Sequence, residues 1–132
     1  MVAAGTRYGL RFAVELARRG SAVRVDAANI AVRRGIPEAY LRKIAATLRR
    51  ARIVEAERGQ AGGYRLSRPP EEISALDIFD ALETPASTGT TRDDPSDAAW
   101  EKATAAFRAV LAGQTLADLA AAEMDANSTW VI

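Results

Sequence analysis

The stretch from Arg58 to Leu66 is the feature that most restricts the fold of this chain. Three of its nine residues are glycines, which accept positive φ angles without steric cost, so the chain can reverse direction there. Residues 53–57 before it have strand character, and residues 64–67 alternate apolar with polar, as a half-buried strand requires. The pattern predicts a β-hairpin whose tip is flanked by Arg58 and Arg65. Taken alone, it is equally compatible with an ordinary turn that carries solvated arginines.

Two short amphipathic helices are predicted directly before the hairpin. Asp26 is a good N-cap for the first helix, and Gly35 suits the left-handed position just past its end. Pro37 fits the first turn of the second helix, whose buried stripe begins at Leu41. A longer helix over residues 6–19 precedes the pair and exposes cations that include Arg18. Helix, turn, helix and hairpin in this order predict a mainly α fold with a small β-hairpin wing, the winged helix-turn-helix.

Basic and acidic residues are divided unevenly along the chain. Up to Arg68 there are 15 basic and 5 acidic residues, a net charge of +10, and beyond it 3 basic and 12 acidic residues, a net charge of −9. A surface this positive attracts a polyanion through Coulomb steering and counterion release. An anionic membrane is the weaker candidate, because no run of 18 apolar residues occurs and the cations are not confined to one amphipathic helix. The first half is therefore predicted to bind double-stranded DNA.

The composition argues against an enzyme. The chain has 132 residues, of which 48% are hydrophobic, enough for one modest domain with a core. It contains neither cysteine nor histidine, so the commonest acid-base groups and metal ligands are missing. The glycine-rich segment leads into a strand and lacks the Lys-Ser/Thr pair of a P-loop. The first residues lack the apolar core of a secretory signal, which predicts a cytoplasmic location.

The second helix of the pair is predicted to enter the major groove with the residues near its N-terminus. Arg42 or Lys43 can pair with guanine O6 and N7, and Glu38 can accept from cytosine N4. Farther along, the helix is expected to meet phosphates, and the wing arginine Arg58 suits a narrowed minor groove. Each of these residues could also be ordinary solvated surface. From their spacing, the residues predicted to contact DNA are Glu38, Ala39, Arg42, Lys43, Arg49, Arg50, Arg58 and Arg65. For Arg65 the expected partner is either a phosphate or only water.

The sequence leaves two roles open for Tyr40. Its ring could cap the core beside Ile44 while its hydroxyl donates to a phosphate, or the side chain could belong purely to the core.

The acidic second half is predicted to be helical on both sides of a polar loop. Ser74 and Asp77 have the spacing of a capping box, which opens a helix that runs to about Leu82 and ends by Pro85. After the loop, apolar residues recur at i, i+3, i+7 and i+10, and Thr115 caps a last helix. The apolar stripe must be buried, either against its own domain or against a second copy of the chain. Its members are Trp100, Ala103, Phe107, Val110 and Leu111.

Five parts of the chain, in order, carry a family resemblance: residues 8–11, 36–41, 48–54 and 58–66, and then Ile73, Asp77, Ile78 and Ala81. Together they resemble the Rrf2 family of bacterial transcriptional regulators, and they span most of the chain. The resemblance implies a homodimeric winged helix-turn-helix protein, usually a repressor, on a palindromic operator. It also implies that the helix around Tyr40 and the wing residue Arg58 approach DNA and that Arg7 and Tyr8 touch the backbone.

The predicted organisation follows from the same resemblance. Residues 1–83 form the winged helix-turn-helix DNA-binding domain, residues 84–97 a flexible polar loop, and residues 98–132 a long dimerisation helix with a C-terminal helix or tail. The alternative is a winged-helix module that binds proteins rather than DNA, although such a module has no reason to keep so many arginines in its first half.

The chain departs from the best-known branch of this family in one respect. Iron–sulfur members carry three cysteines in the loop before the dimerisation helix, whereas this loop has none. Without thiolate or imidazole, no family-type cluster can form, so no cofactor is expected. Asp93, Asp94 and Asp97 could bind a hard cation, but adjacent acids in a polar loop are more often solvated or cap the next helix. The regulatory signal could then be a small molecule in a pocket near the dimer helices, a partner protein, or nothing beyond the abundance of the protein itself.

Overall fold

Residues 3–58, 62–83 and 94–129 are described by the computed structural model. These parts of the chain contain six α-helices and one two-stranded antiparallel sheet, which confirms the mainly α fold with a hairpin wing. None of these helices is long and apolar enough to cross a membrane. The elements are α1 (Ala4–Arg19), α2 (Ala27–Arg34), α3 (Glu38–Arg50), β1 (Val54–Glu57), β2 (Gly63–Leu66), α4 (Ala75–Leu82), α5 (Pro95–Ala112) and α6 (Leu116–Thr129), with a 3₁₀ turn at Pro70–Glu72.

One hydrophobic core is built around α1, which packs against α2, α3, α4 and α6. The predicted stripe of α3 and the apolar face of α1 both lie in this core, because residues three or four apart lie on one side of a helix. Side chains from five helices and from the segment before α4 are fully enclosed in it: Phe12, Leu16, Ile30, Leu41, Leu48, Ile73, Ile78 and Leu116.

The helix-turn-helix forms as the caps predict, with one difference at its second helix. The Asp26 carboxylate accepts from the Asn29 N–H at 2.8 Å, and Gly35 is left-handed with φ 64°. Pro37 is the N-cap of α3 and not part of its first turn, because its ψ of 129° is extended. Its carbonyl accepts the Leu41 N–H at 2.9 Å, which starts the helix one residue later.

The residue that follows the C-cap of α3 has an unusual backbone conformation. Arg52 has φ 61°, the left-handed region in which glycine is normally found. The Ile53 N–H returns to the Leu48 carbonyl at 3.0 Å, and both side chains are buried. This Schellman closure turns the chain directly from α3 into β1.

The wing is anchored to the helix-turn-helix by a third piece of extended chain. Val54 pairs with Leu66 in the hairpin, while Tyr64 exchanges two backbone hydrogen bonds with Val25 at 2.9 and 3.0 Å. Gly63 has φ 141°, and a Cβ there would lie 2.6 Å from the Val25 carbonyl carbon. The predicted turn at residues 59–61 lies outside the described residues.

The second half differs from its predicted organisation at one boundary. The capping box of Ser74 and Asp77 and the cap at Thr115 are both present. However, α5 begins at Pro95, inside the segment assigned to a loop over 84–97. The reason is local, because the Asp94 carboxylate accepts from the Ser96 N–H at 2.9 Å and proline suits the first helical position. Residues 84–93, with Pro85 and Asp93, lie outside the described residues.

Helix α6 is part of the same core as the winged helix. The Leu116 N–H donates to the Ile73 carbonyl at 2.8 Å, and the Ala75 N–H donates to the Gln114 carbonyl at 2.8 Å. Leu116 is fully buried, and α6 packs along α1. The last helix therefore stabilises the first.

Candidate nucleic-acid interface

The exposed face of α3 holds the predicted major-groove residues. Glu38, Ala39, Arg42 and Lys43 are all exposed in the first turns of the helix, on the side away from its buried stripe. Arg49 and Arg50 are exposed two turns farther on. The packing of α3 thus leaves a continuous, mostly cationic surface.

Two of these residues are paired with each other. Arg42 Nη2 donates to Glu38 Oε1 at 3.0 Å, one helical turn apart, and both side chains are largely exposed. An exposed pair of this kind stabilises a helix by only about 0.3–0.5 kcal/mol. DNA bases could therefore replace the two side chains as hydrogen-bond partners of each other at little cost in free energy.

Tyr40 lies against the start of α1. Its ring meets Tyr8 edge to face with centroids 5.7 Å apart, and the Arg11 guanidinium lies 5.5 Å from the centre of the Tyr8 ring. Gly5 leaves room for the Tyr40 hydroxyl, because a Cβ there would lie 2.5 Å from it. Tyr40 is nevertheless 40% exposed, so its ring packs on one side and is open on the other.

The two wing arginines differ in their partners. Arg65 Nε donates to the Glu55 carboxylate at 3.0 Å, directly across the hairpin. Arg58 is exposed and forms no ion pair within the described part of the chain. Arg58 is therefore the freer of the two to meet an external anion.

A buried glutamate is the main charged feature that the sequence reading missed. Glu15 is fully buried, and four guanidinium groups surround its carboxylate at 2.7 to 3.2 Å. They belong to Arg18, Arg19, Arg33 and Arg34. The available signal was its place beside Phe12 and Leu16 on the apolar face of α1, where an acid needs partners.

This cluster changes the interpretation of the basic first half. The placement of Arg18 on the exposed face of α1 is wrong, because its guanidinium turns inward to Glu15. Burial raises the pKa of Glu15, but hydrogen bonds from Arg18 and Arg19 outweigh this and lower the pKa from 4.5 to about 2. Arg34 also reaches Glu123 of α6 at 2.7 Å. These arginines therefore join α1, α2 and α6.

The apolar stripe of α5 is divided between two environments. Phe107 meets Phe79 edge to face at 5.2 Å, and Leu111 is half-buried beside α4. Trp100 is 72% exposed and Val110 63%, and Ala103 is exposed as well. The part of the stripe around Phe107 and Leu111 therefore contacts its own domain, while pairing of the rest with a second copy stays a prediction. Phe107 is still 39% exposed, so its contact with Phe79 leaves part of its ring open.

Comparison with known proteins identifies the family. Residues 2–122 match the model of the Rrf2 family, described as iron-dependent transcriptional regulators. The transcriptional regulator CymR of Bacillus subtilis is 36% identical over 117 residues, covering 86% of this chain and 85% of CymR. The structure of T. potens IscR superimposes with a TM-score of 0.82 at 32% identity, covering 100% of this chain and 92% of that one. The structure of CymR of B. subtilis, described as the global cysteine regulator, superimposes with a TM-score of 0.82 at 33% identity, covering 92% of this chain and 96% of that one.

The iron in the family description does not fit the donors of this chain. Iron–sulfur clusters are held by cysteine thiolates, with histidine as the occasional substitute, and the sequence has neither residue. Among the described residues, no three acidic side chains come together as a metal site either. The chain belongs to the Rrf2 family of transcriptional regulators, which are not enzymes, and it lacks the ligands of an iron–sulfur cluster.

Proposed function

We propose that this protein is a sequence-specific DNA-binding regulator that acts as a homodimeric repressor on a palindromic operator. The observation that carries the proposal is the exposed face of α3, where Arg42 and Lys43 stand beside Glu38 and Ala39. A helix with its apolar side fixed in the core and its polar N-terminal turns exposed can be inserted into a major groove without rearrangement.

The residues of α3 divide into base-reading and phosphate-binding groups. Arg42 or Lys43 pairs with guanine, and Glu38 accepts from cytosine N4, once the pair between Arg42 and Glu38 opens. Arg49 and Arg50 lie farther from the helix N-terminus and bind phosphates, which position the protein without reading sequence.

Contacts outside α3 come from α1 and the wing. Arg7, Tyr8 and the open side of Tyr40 meet the DNA backbone, and Arg58 enters the minor groove. Arg65 must first leave Glu55, so its contribution is smaller.

The dimer is proposed to form along α5. Trp100, Ala103 and Val110 present an apolar surface that nothing in the described chain covers. Phe107 and Leu111 fix the helix to α4 and hold this surface in place. To bind two half-sites, such a dimer must hold its two α3 helices about 34–36 Å apart, the spacing of successive major grooves.

The regulatory signal is proposed to be something other than an iron–sulfur cluster, because the chain has no thiolate or imidazole. Like other transcriptional regulators, the protein is proposed to act in the cytoplasm, where its DNA target lies.

DNA binding is tested in two steps. Fragments of the source genome are first selected for binding to the protein, and the affinity for the best-bound duplex is then measured at 50 and 200 mM salt. Neutralising several phosphates should weaken binding by at least about tenfold over this range. An affinity independent of both salt and sequence would favour the protein-interaction alternative.

The dimer has a separate test by sedimentation. The wild-type chain should sediment as a dimer at micromolar concentration, and Trp100→Glu should shift it towards the monomer. Lys102→Glu, an exposed change on the same helix but outside the apolar stripe, is the matched control and should leave the dimer intact. A monomeric wild-type protein contradicts the proposed assembly.

A further inference from the structure

A cavity of about 240 Å³ opens between α1, α4 and α5. Apolar side chains from all three helices line it, among them the edge-to-face pair of Phe79 and Phe107. Two polar residues of α1, Thr6 and Arg7, also line it. The other wall residues are Leu10, Ala75, Ile78 and Leu111.

The charged side chains around the cavity differ in whether they already have a partner. Arg7 is exposed and has no ion-pair partner among the described residues. Glu83 does not line the cavity, and its carboxylate accepts from the Thr6 hydroxyl at 2.7 Å and from the Ala3 N–H at 3.2 Å. Asp80 is held by two hydrogen bonds from Arg108. The charge at the cavity that has no ion-pair partner among the described residues is therefore the positive charge of Arg7.

The size of the cavity limits its occupant. An apolar cavity of about 150 Å³ is large enough for benzene, so this one suits a molecule of roughly ten non-hydrogen atoms. Pockets with mainly apolar walls and a few polar groups are typical of small-molecule sites, in which the polar groups set the orientation of the ligand.

We propose that this cavity binds a small organic acid, with the apolar body against Phe79 and Phe107 and the carboxylate paired with Arg7. The site joins α1 to α4 and α5, so an occupant contacts both the DNA-binding domain and the helix proposed to form the dimer. It also withdraws Arg7 from the DNA backbone, which weakens DNA binding. This regulatory consequence, unlike the site itself, rests on the proposed function.

The site is tested on the full-length protein without DNA. The probes are 3-phenylpropionate and its neutral analogue 3-phenylpropanol, followed through the methyl NMR signals of Leu10, Ile78 and Leu111. The acid should shift these signals saturably and bind at least threefold more tightly than the alcohol. Arg7→Gln should abolish this preference, whereas Arg11→Gln, a cation that lies over Tyr8 instead, should retain it.

Two results would overturn the site. The absence of saturable shifts up to 10 mM acid would mean that the cavity is closed in solution, for example by the second copy of the chain. Equal binding of acid and alcohol, or an unchanged preference in Arg7→Gln, would remove the role of the guanidinium. Neither result depends on DNA, so the site can fail while the proposed function holds, or hold while that function fails.

The regulatory consequence is tested with a bound duplex. Saturating 3-phenylpropionate should raise the Kd of the wild-type protein for DNA at least threefold and should leave that of Arg7→Gln unchanged. The alcohol, at the same occupancy of the cavity, should have a smaller effect on the wild type. An unchanged wild-type Kd at full occupancy would show that the acid does not compete with the backbone contact.

Discussion

Glu15 accepts a hydrogen bond from Arg34 at 2.9 Å, and the same guanidinium donates to Glu123 at 2.7 Å, so one arginine of α2 links α1 to α6. The helix-turn-helix therefore depends for its position on the last helix of the chain. A local change in α6 can reach α2 through this contact.

Replacement of Glu15 should strongly destabilise the fold. Glu15→Gln leaves the guanidinium groups of Arg18, Arg19, Arg33 and Arg34 without their shared anion, and breaking a buried ion pair typically costs about 3–5 kcal/mol. Urea unfolding at neutral pH measures the loss. Glu123→Gln, which removes a partly exposed partner, is the control and should cost less than about 1 kcal/mol. Equal losses in the two variants would contradict the central role of Glu15.

Acid should remove the same stabilisation. The pKa of Glu15 falls from 4.5 to about 2 on folding, so the unfolded chain takes up its proton first as pH drops. The contribution, about 3 kcal/mol, is complete above pH 4.5 and disappears as pH falls towards 2. Unfolding free energies measured across this range should decline more steeply for the wild type than for Glu15→Gln. Parallel curves would show that Glu15 titrates alike in both states.

Gly63→Ala should loosen the wing. The added Cβ would meet the Val25 backbone at 2.6 Å, and φ 141° is unfavourable for any residue with a side chain. We expect a loss of about 2 kcal/mol or more, and faster hydrogen exchange at the Tyr64 amide, which bonds to Val25. Gly113→Ala, where the added carbon meets only ordinary contacts at 3.6 Å, should change stability by less than about 0.5 kcal/mol.

Arg52→Gly should stabilise the protein. Arg52 occupies the left-handed region at φ 61°, which costs an L-residue about 1 kcal/mol relative to glycine. Its replacement should raise the unfolding free energy by about that amount in urea titrations. Arg50→Gly, two residues earlier and inside α3, should instead lower it by about 1 kcal/mol. Changes of the same sign in both variants would refute the conformational argument.

Arg58→Ala should weaken operator binding by about 1–3 kcal/mol, because a guanidinium in a narrowed groove has no substitute. Fluorescence anisotropy with the selected duplex measures the change, and circular dichroism should confirm an unaltered fold. Arg65→Ala is the matched variant, with a smaller loss expected since Arg65 is already bound to Glu55. Unchanged binding of Arg58→Ala would make the wing purely structural.

Short-range features were predictable from the sequence alone. The caps at Asp26, Ser74 and Thr115 and the turn at Gly35 each depend on residues within about four positions, so the pattern that encodes them lies in one place. The buried stripe of α3 follows from helical periodicity for the same reason. These local patterns were enough to indicate the helix-turn-helix, its wing and its exposed cations.

Contacts between distant residues were decided only by the tertiary structure. Arg33 and Arg34 lie far along the chain from Glu15, and no spacing rule says that they turn inwards to a buried carboxylate. The same holds for the pairing of Val25 with Tyr64. The α5 stripe shows the limit most clearly, because periodicity identifies an apolar face, but only the packing of the helices shows that Phe107 lies against Phe79 of α4 while Trp100 is exposed. Burial depends on which elements meet, and that is a property of the whole fold.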